Sequence, residues 1–148
     1  MGRKEAREIA LHMIFELSFK EFSDEEMVAD RLEQSVMESL AGDVALYAGE
    51  LTEKQKEYVR RTVMGVSEHR ADVDAVIEKH SKNWRMSRLS HMTVSVLRLA
   101  LYEMRYADDV PVGTAINEAV ELAKKYESNE SASFINGILG AAAREQAE

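Results

Sequence analysis

The sequence predicts an all-α fold, a compact bundle of about seven helices that forms a single domain over residues 1–148. Three observations lead to this prediction. Apolar residues recur three and four positions apart along most of the chain, which is the spacing of one helix face. Residues that cap helices stand where several of these patterns begin. The segments between the patterns are short, as they are in helical bundles.

Capping residues in the first half of the chain predict where helices begin. The first helix is expected from about residue 3 to residue 20 and carries a wide apolar face. Ser23 to Glu26 and Thr52 to Gln55 are both capping boxes, in which the first and fourth residues bond to each other's backbone N–H groups. Each box therefore opens a further helix. A break near residues 71–72 separates the third helix from a short fourth one.

The second half of the chain holds the most apolar predicted helix. This fifth helix spans Thr93 to Ala107 and is expected at the centre of the core, because it is apolar nearly all round. One of the two aspartates before Pro111 is expected to cap the sixth helix, and Ser128 to Ser131 is predicted as a loop before the seventh. Gly137 in that last helix costs roughly 1 kcal/mol relative to alanine, so we expect another helix to approach it closely.

Composition excludes several classes of protein. The chain has 148 residues, no cysteine and a net charge of −8, so it has no disulfides, thiolate metal sites or cysteine nucleophiles. No apolar run approaches the ~18 residues that a membrane-spanning helix needs. The N-terminus also lacks the apolar core of a signal peptide. We therefore expect a cytoplasmic protein that does not enter a membrane.

Two short segments are basic although the chain as a whole is acidic. Residues 1–7 hold three bases against one acid, and residues 79–102 hold five bases and no acid. A basic first turn is usually just a solvated helix end. Cations there oppose the helix dipole, however, and this mild cost indicates an external partner such as phosphate.

The sequence shows no enzyme motif. It contains no H-E-x-x-H zinc motif, phosphate-binding loop, dinucleotide fingerprint or nucleophile elbow. His69, His80 and His91 are evenly spaced for one continuous helix, but the predicted breaks disrupt that alignment. We therefore predict no catalytic residue, no metal site and no cofactor. Asn117 and Glu118 are interpreted either as a plain surface pair or as part of a functional surface.

Several separated motifs, in order and over essentially the whole chain, are similar to those of one known family. The run from Val96 to Met104 is followed by Asp109-Val110-Pro111, by the run from Ile116 to Lys124 and by Phe134 to Leu139. Residues 3–11 read Arg-x-x-Ala-Arg-Glu-x-Ala-Leu, which is similar to that family's opening arginine-rich helix. The set resembles the NusB family of bacterial transcription antitermination factors.

The resemblance implies a fold and a function. The fold is an all-helical, NusB-like one of two packed three-helix subdomains and an extra helix. The function is to bind the single-stranded boxA element of nascent RNA together with the ribosomal protein NusE. The complex joins NusA, NusG and RNA polymerase to suppress termination, notably at ribosomal RNA operons. Such a factor is not an enzyme, and the resemblance leaves open whether it is a monomer or a homodimer.

The resemblance also implies roles for particular residues. In the first helix, basic side chains contact RNA phosphates. An aromatic ring stacks on a nucleobase, and this stacking contact is worth about 1–3 kcal/mol. The residues in those places are Arg3, Lys4, Arg7 and Phe15. Glu5 interrupts the basic run where many members have another base. In the fifth helix, Arg98 and Thr93 are implied to lie at the surface that binds the partner protein.

Two other functions stay open. The chain can be the RNA-guiding fragment of an rRNA cytosine methyltransferase, which has a NusB-like domain before a long catalytic domain. It can also be a protein-interaction module that has lost RNA binding, which the net charge of −8 and Glu5 slightly favour. Binding of boxA RNA with and without the partner distinguishes these hypotheses.

Overall fold

The computed structural model describes residues 2–18, 52–81 and 88–147, and the regular structure in these ranges is helical throughout. The all-α prediction is confirmed. The described helices are α1 (Arg3–Leu17), α2 (Glu53–Glu68), α3 (Arg70–His80), α4 (His91–Tyr106), α5 (Val112–Tyr126) and α6 (Asn129–Ala147). The helix predicted to begin at Ser23 lies outside the described residues. None of the described helices is long and apolar enough to cross a membrane.

The chain divides into two compact units, residues 1–67 and 68–148. The first unit contains α1 and nearly all of α2, and the second contains α3 to α6. That both units serve one RNA-binding domain over residues 1–148 stays a prediction.

Helix α4 lies at the centre of the second unit, as its apolar sequence predicts. It contacts α3, α5 and α6, and every residue from Thr93 to Met104 is buried. Burying one leucine contributes about 1.5–3 kcal/mol. The fully buried leucines Leu97 and Leu101 therefore make α4 a main source of this unit's stability.

Side-chain caps fix the starts of α2 and α4. The backbone N–H of Thr52 donates to Gln55 Oε1 at 2.9 Å, and the N–H of Gln55 donates to Thr52 Oγ1 at 3.1 Å. This is the capping box that the sequence predicts. At α4 the cap is Ser90, whose Oγ accepts the N–H of Thr93 at 3.0 Å, so the helix begins two residues earlier than predicted.

Four other helix boundaries differ from the prediction. Helix α1 ends at Leu17 and not near residue 20. The break between α2 and α3 falls at His69 and not at residues 71–72. The cap of α5 is Pro111 itself, whose ψ of 144° is extended, and not an aspartate before it. The predicted loop from Ser128 to Ser131 is the cap and first turn of α6, because Ser128 Oγ accepts the N–H of Ser131 at 3.0 Å.

Gly137 does not mark a close contact between helices. It is exposed in α6, and a Cβ atom added to it would meet nothing within 4 Å among the described residues. The expectation of close packing at this position is therefore wrong. Asn117 on α5 and Asn136 on α6 are exposed as well.

Candidate nucleic-acid interface

The basic start of α1 reaches an aromatic ring of α2. The Cζ atom of Arg3 lies 4.2 Å from the centre of the Tyr58 ring, and that of Arg7 lies 5.7 Å from it. From α2 itself, the Cζ atom of Arg61 lies 5.9 Å from the same ring. The face of an aromatic ring attracts cations within about 6 Å. Three guanidinium groups of the first unit thus converge on one tyrosine, which is buried.

These three arginines differ in exposure. Arg7 is only 4% exposed, Arg3 is half-buried and Arg61 is exposed. Burial of Arg7 leaves little of its guanidinium for a phosphate to touch directly. Its charge still adds to the local positive potential, because a partly buried charge is screened less than a solvated one. Arg3 and Arg61 have the accessible surface that direct contact needs.

Lys4 and Phe15 lie on a different face of α1 from Arg3. They are eleven residues apart, so three helical turns bring them into line about 16 Å apart along the axis. Lys4 is exposed and Phe15 is half-buried. The structure therefore brings Arg3 and Arg7 together at the Tyr58 ring and places the other two predicted RNA-binding residues on a neighbouring stripe.

Glu5 has a structural role at the end of the helix. Its Oε2 accepts the backbone N–H of Gly2 at 2.9 Å, which is half of a capping box, since Gly2 has no side chain to complete it. Hydrogen bonds from the backbone N–H groups of Glu5 and Gly2 lower the pKa of the Glu5 carboxyl below its ordinary value. The carboxylate of Glu5, which interrupts the basic run, therefore bonds to a backbone N–H group at the start of α1.

In the second unit, Thr93 lines a surface cleft of about 240 Å³ where the start of α4 meets the connection between α5 and α6. Thr93 itself is 5% exposed. The hydroxyl of Ser90 donates to Glu127 Oε1 across this cleft. Arg88 and Phe134 also line it. The cleft offers a cation, hydroxyl groups and an aromatic ring to a partner.

Arg98, the other predicted partner-binding residue, is 7% exposed. Its Nε and Nη2 donate to the two carboxylate oxygens of Asp74 in α3 at 2.8 Å and 3.0 Å. Arg70 Nε lies 3.9 Å from the same carboxylate. The pKa of Arg70 is lowered by burial and next by the charge of Arg98, while Asp74 partly opposes both effects. Arg98 therefore joins α4 to α3, and its burial disfavours direct contact with a partner.

The structure does not bring Thr93 and Arg98 together. They are five positions apart in the helix, which turns their side chains roughly 140° apart around α4. A partner surface that includes the Thr93 cleft is therefore a different surface from the Arg98–Asp74 pair.

The three evenly spaced histidines belong to different elements. His69 is the turn before α3, His80 ends α3, and His91 begins α4. His69 stacks on Tyr106, with ring centres 3.7 Å apart. Over residues 2–18, 52–81 and 88–147, no group of three or more histidine, aspartate and glutamate side chains could hold a metal ion.

Comparison with known proteins identifies the family. The model of the NusB family matches residues 4–144. The transcription antitermination protein NusB of Acetivibrio thermocellus is 45% identical over 140 residues, which are 95% of this chain and 87% of that protein. The chain belongs to the NusB family.

Solved NusB structures share the fold. NusB of T. maritima aligns with a TM-score of 0.75 at 30% identity, over 98% of this chain and 92% of that one. The antitermination factors NusB and NusE have been crystallised with double-stranded RNA, and a chain of that complex aligns with a TM-score of 0.72 over 97% of this chain and 96% of its own. At 23% identity, this second likeness shows the fold alone.

Two residues of this candidate interface, Tyr58 and Arg61, were not predicted from the sequence. The apolar pattern assigns Tyr58 to the buried face of its helix, and nothing in it relates that ring to Arg3 or Arg7. One local pattern in the sequence could have indicated these residues, because Lys54 and Arg61 stand four residues before and three residues after Tyr58, on the same helix face.

Proposed function

We propose that this chain is a transcription antitermination factor that binds boxA-type single-stranded RNA together with the ribosomal protein NusE. In the bacterial cytoplasm the complex joins NusA, NusG and RNA polymerase and suppresses termination at ribosomal RNA operons. Family membership and the name of the A. thermocellus relative support antitermination. The NusB–NusE–RNA complex of the same fold supports this choice of partners.

The observation that carries the RNA-binding part is the convergence of Arg3, Arg7 and Arg61 on Tyr58. Exposed basic side chains contact phosphates and position the strand, whereas unpaired nucleobases stack on aromatic rings. In the proposal, Arg3 and Lys4 contact phosphates, and Arg7 adds charge from a buried position. Phe15, on the stripe of Lys4, stacks on a base.

The proposed NusE contact lies at the cleft lined by Thr93. Arg98 acts on this contact indirectly, because its pairing with Asp74 holds α4 against α3. The start of α4 is therefore presented to the partner in a fixed position.

The test measures binding of boxA RNA and of a base-shuffled RNA, each with and without purified NusE. We expect tighter binding with NusE and a preference for boxA in its presence. Binding of NusE without any RNA binding would instead assign the chain to the class of protein-interaction modules. Failure to bind either one would leave the RNA-guiding fragment of a methyltransferase as the remaining hypothesis and would contradict the proposal.

A further inference from the structure

The stripe of α2 that carries Tyr58 is itself basic. Lys54, Tyr58 and Arg61 are spaced i, i+4 and i+7, so they follow one face of α2 over about two turns. Lys54 and Arg61 are exposed at the two ends of this stripe. The Tyr58 ring between them is the one that Arg3 covers from α1.

The other two basic residues of α2, Lys56 and Arg60, are half-buried. Lys56 is also two residues from Tyr58, so it projects from nearly the opposite side of the helix. Exposed positive charge in α2 is therefore concentrated on the side of the Tyr58 ring.

The arrangement at the ring favours an anion electrostatically. Three guanidinium groups lie within 6 Å of the centre of one ring, whose face attracts cations. A phosphate that approaches Arg3 and Arg61 together interacts with charges from both helices.

We propose that α2 forms a second line of phosphate contacts, in which Arg61 and Lys54 bind the backbone of the same RNA strand that Arg3 and Lys4 contact. This inference rests on the proposed function and extends its site beyond α1. The RNA backbone runs along the edge where the Arg3 side chain meets the Tyr58 ring. Contacts of this kind raise affinity for every sequence equally, because phosphates carry no base identity.

The experiment measures RNA affinity of the full chain with NusE over a salt series. The variants are Arg61→Ala, Lys54→Ala, their combination and Arg3→Ala. Lys56→Ala is the matched control, since it removes one charge from the opposite side of α2. The charge-retaining variant Arg61→Lys is included, and thermal unfolding is followed for every variant.

We expect each of Arg61→Ala and Lys54→Ala to lower the magnitude of the log–log salt slope by about 0.7, and the combination by about 1.4. Affinity for boxA and for shuffled RNA should fall by the same factor. Lys56→Ala should leave the slope unchanged, and Arg61→Lys should keep most of it.

Three results would overturn the inference. An unchanged slope in the Arg61→Ala and Lys54→Ala combination, with a reduced slope in Arg3→Ala, leaves the RNA site on α1 alone and the proposed function intact. A loss of NusE binding by the α2 variants in the absence of RNA assigns this stripe to a protein contact. Absence of RNA binding by the unmodified complex removes the inference together with the proposed function.

Discussion

Arg3 covers the ring of Tyr58 with a guanidinium carbon 4.2 Å from the ring centre, although the two residues come from different helices. The contact holds the start of α1 against α2 and orients a half-buried cation at the edge of the first unit. A free helix end would lose side-chain entropy when it orders on RNA. Anchoring by Tyr58 reduces that loss, so an RNA strand that binds as proposed would meet a partly ordered site.

Replacing Arg7 is expected to lower stability more than it weakens RNA binding. Replacing Arg3 is expected to weaken RNA binding more than it lowers stability. Arg7→Met keeps the apolar stem of the side chain but removes the guanidinium, which lies near the Tyr58 ring, from a residue that is only 4% exposed. We expect the free energy of unfolding to fall by about 2 kcal/mol. Arg3→Met should change it by less and should weaken RNA binding. Urea unfolding and RNA titration of the two variants check this, and equal effects on stability would contradict the assignment.

Glu5 is expected to stabilise the start of α1 in a pH-dependent way. The pKa of the Glu5 carboxyl in the folded chain lies below the ordinary value of 4.5. Its negative charge therefore stabilises the fold above pH 4.5, and this stabilisation is lost as the pH falls through the pKa of the folded chain. Glu5→Gln retains a hydrogen-bond acceptor but has no charge. Urea unfolding should show the variant less stable than the parent at neutral pH, with the difference vanishing in acid.

The same position is expected to limit RNA affinity. Glu5→Lys removes a negative charge and adds a positive one beside Lys4, so the salt dependence of RNA binding should become steeper. The variant should also lose the bond to the Gly2 N–H and unfold more easily. Unchanged RNA affinity at low salt would show that the strand does not pass this turn of α1.

The Arg98–Asp74 pair is expected to support the fold and not to contact NusE. Arg98→Met leaves a carboxylate that is 23% exposed without its bidentate partner, so the free energy of unfolding should fall by about 3 kcal/mol. Adding Asp74→Leu should recover most of this loss, because the isolated charge is gone. The double variant should bind NusE nearly as well as the parent. Restored stability with lost NusE binding would instead assign Arg98 to the partner surface.

Gly137→Ala is expected to stabilise the chain. The position is exposed within α6, and an added Cβ meets nothing within 4 Å among the described residues. Replacing a glycine inside a helix by alanine should therefore raise the free energy of unfolding by about 1 kcal/mol. Thermal unfolding of the variant checks this. A destabilised variant would mean that a neighbour occupies this face of α6.

Local signals in the sequence predicted local structure well. The capping box of Thr52 and Gln55 forms as expected, and the apolar segment from Thr93 becomes the central helix of its unit. These features depend on neighbours in sequence, through hydrogen bonds one turn apart or on the helical period. The predicted cap of α5 was wrong because Pro111, whose ψ is extended, is itself the residue before the helix.

Features that depend on distant residues could not be predicted. No glycine or proline stands next to the break at His69, and the His69 ring stacks on Tyr106 of another helix. The gathering of Arg3, Arg7 and Arg61 on one ring likewise needs α1 and α2 to be adjacent in space. Burial of Arg7 and Arg98 has the same origin, because exposure of a long cation depends on what packs against its helix.

The most direct test of RNA binding by the first unit is an NMR titration of the isotope-labelled chain with single-stranded boxA RNA in the presence of NusE. We expect the largest RNA-dependent shift changes at residues 3–7 and around Tyr58 and Arg61, with Phe15 also affected. Changes confined to residues 88–147, with none in α1 or α2, would contradict this expectation.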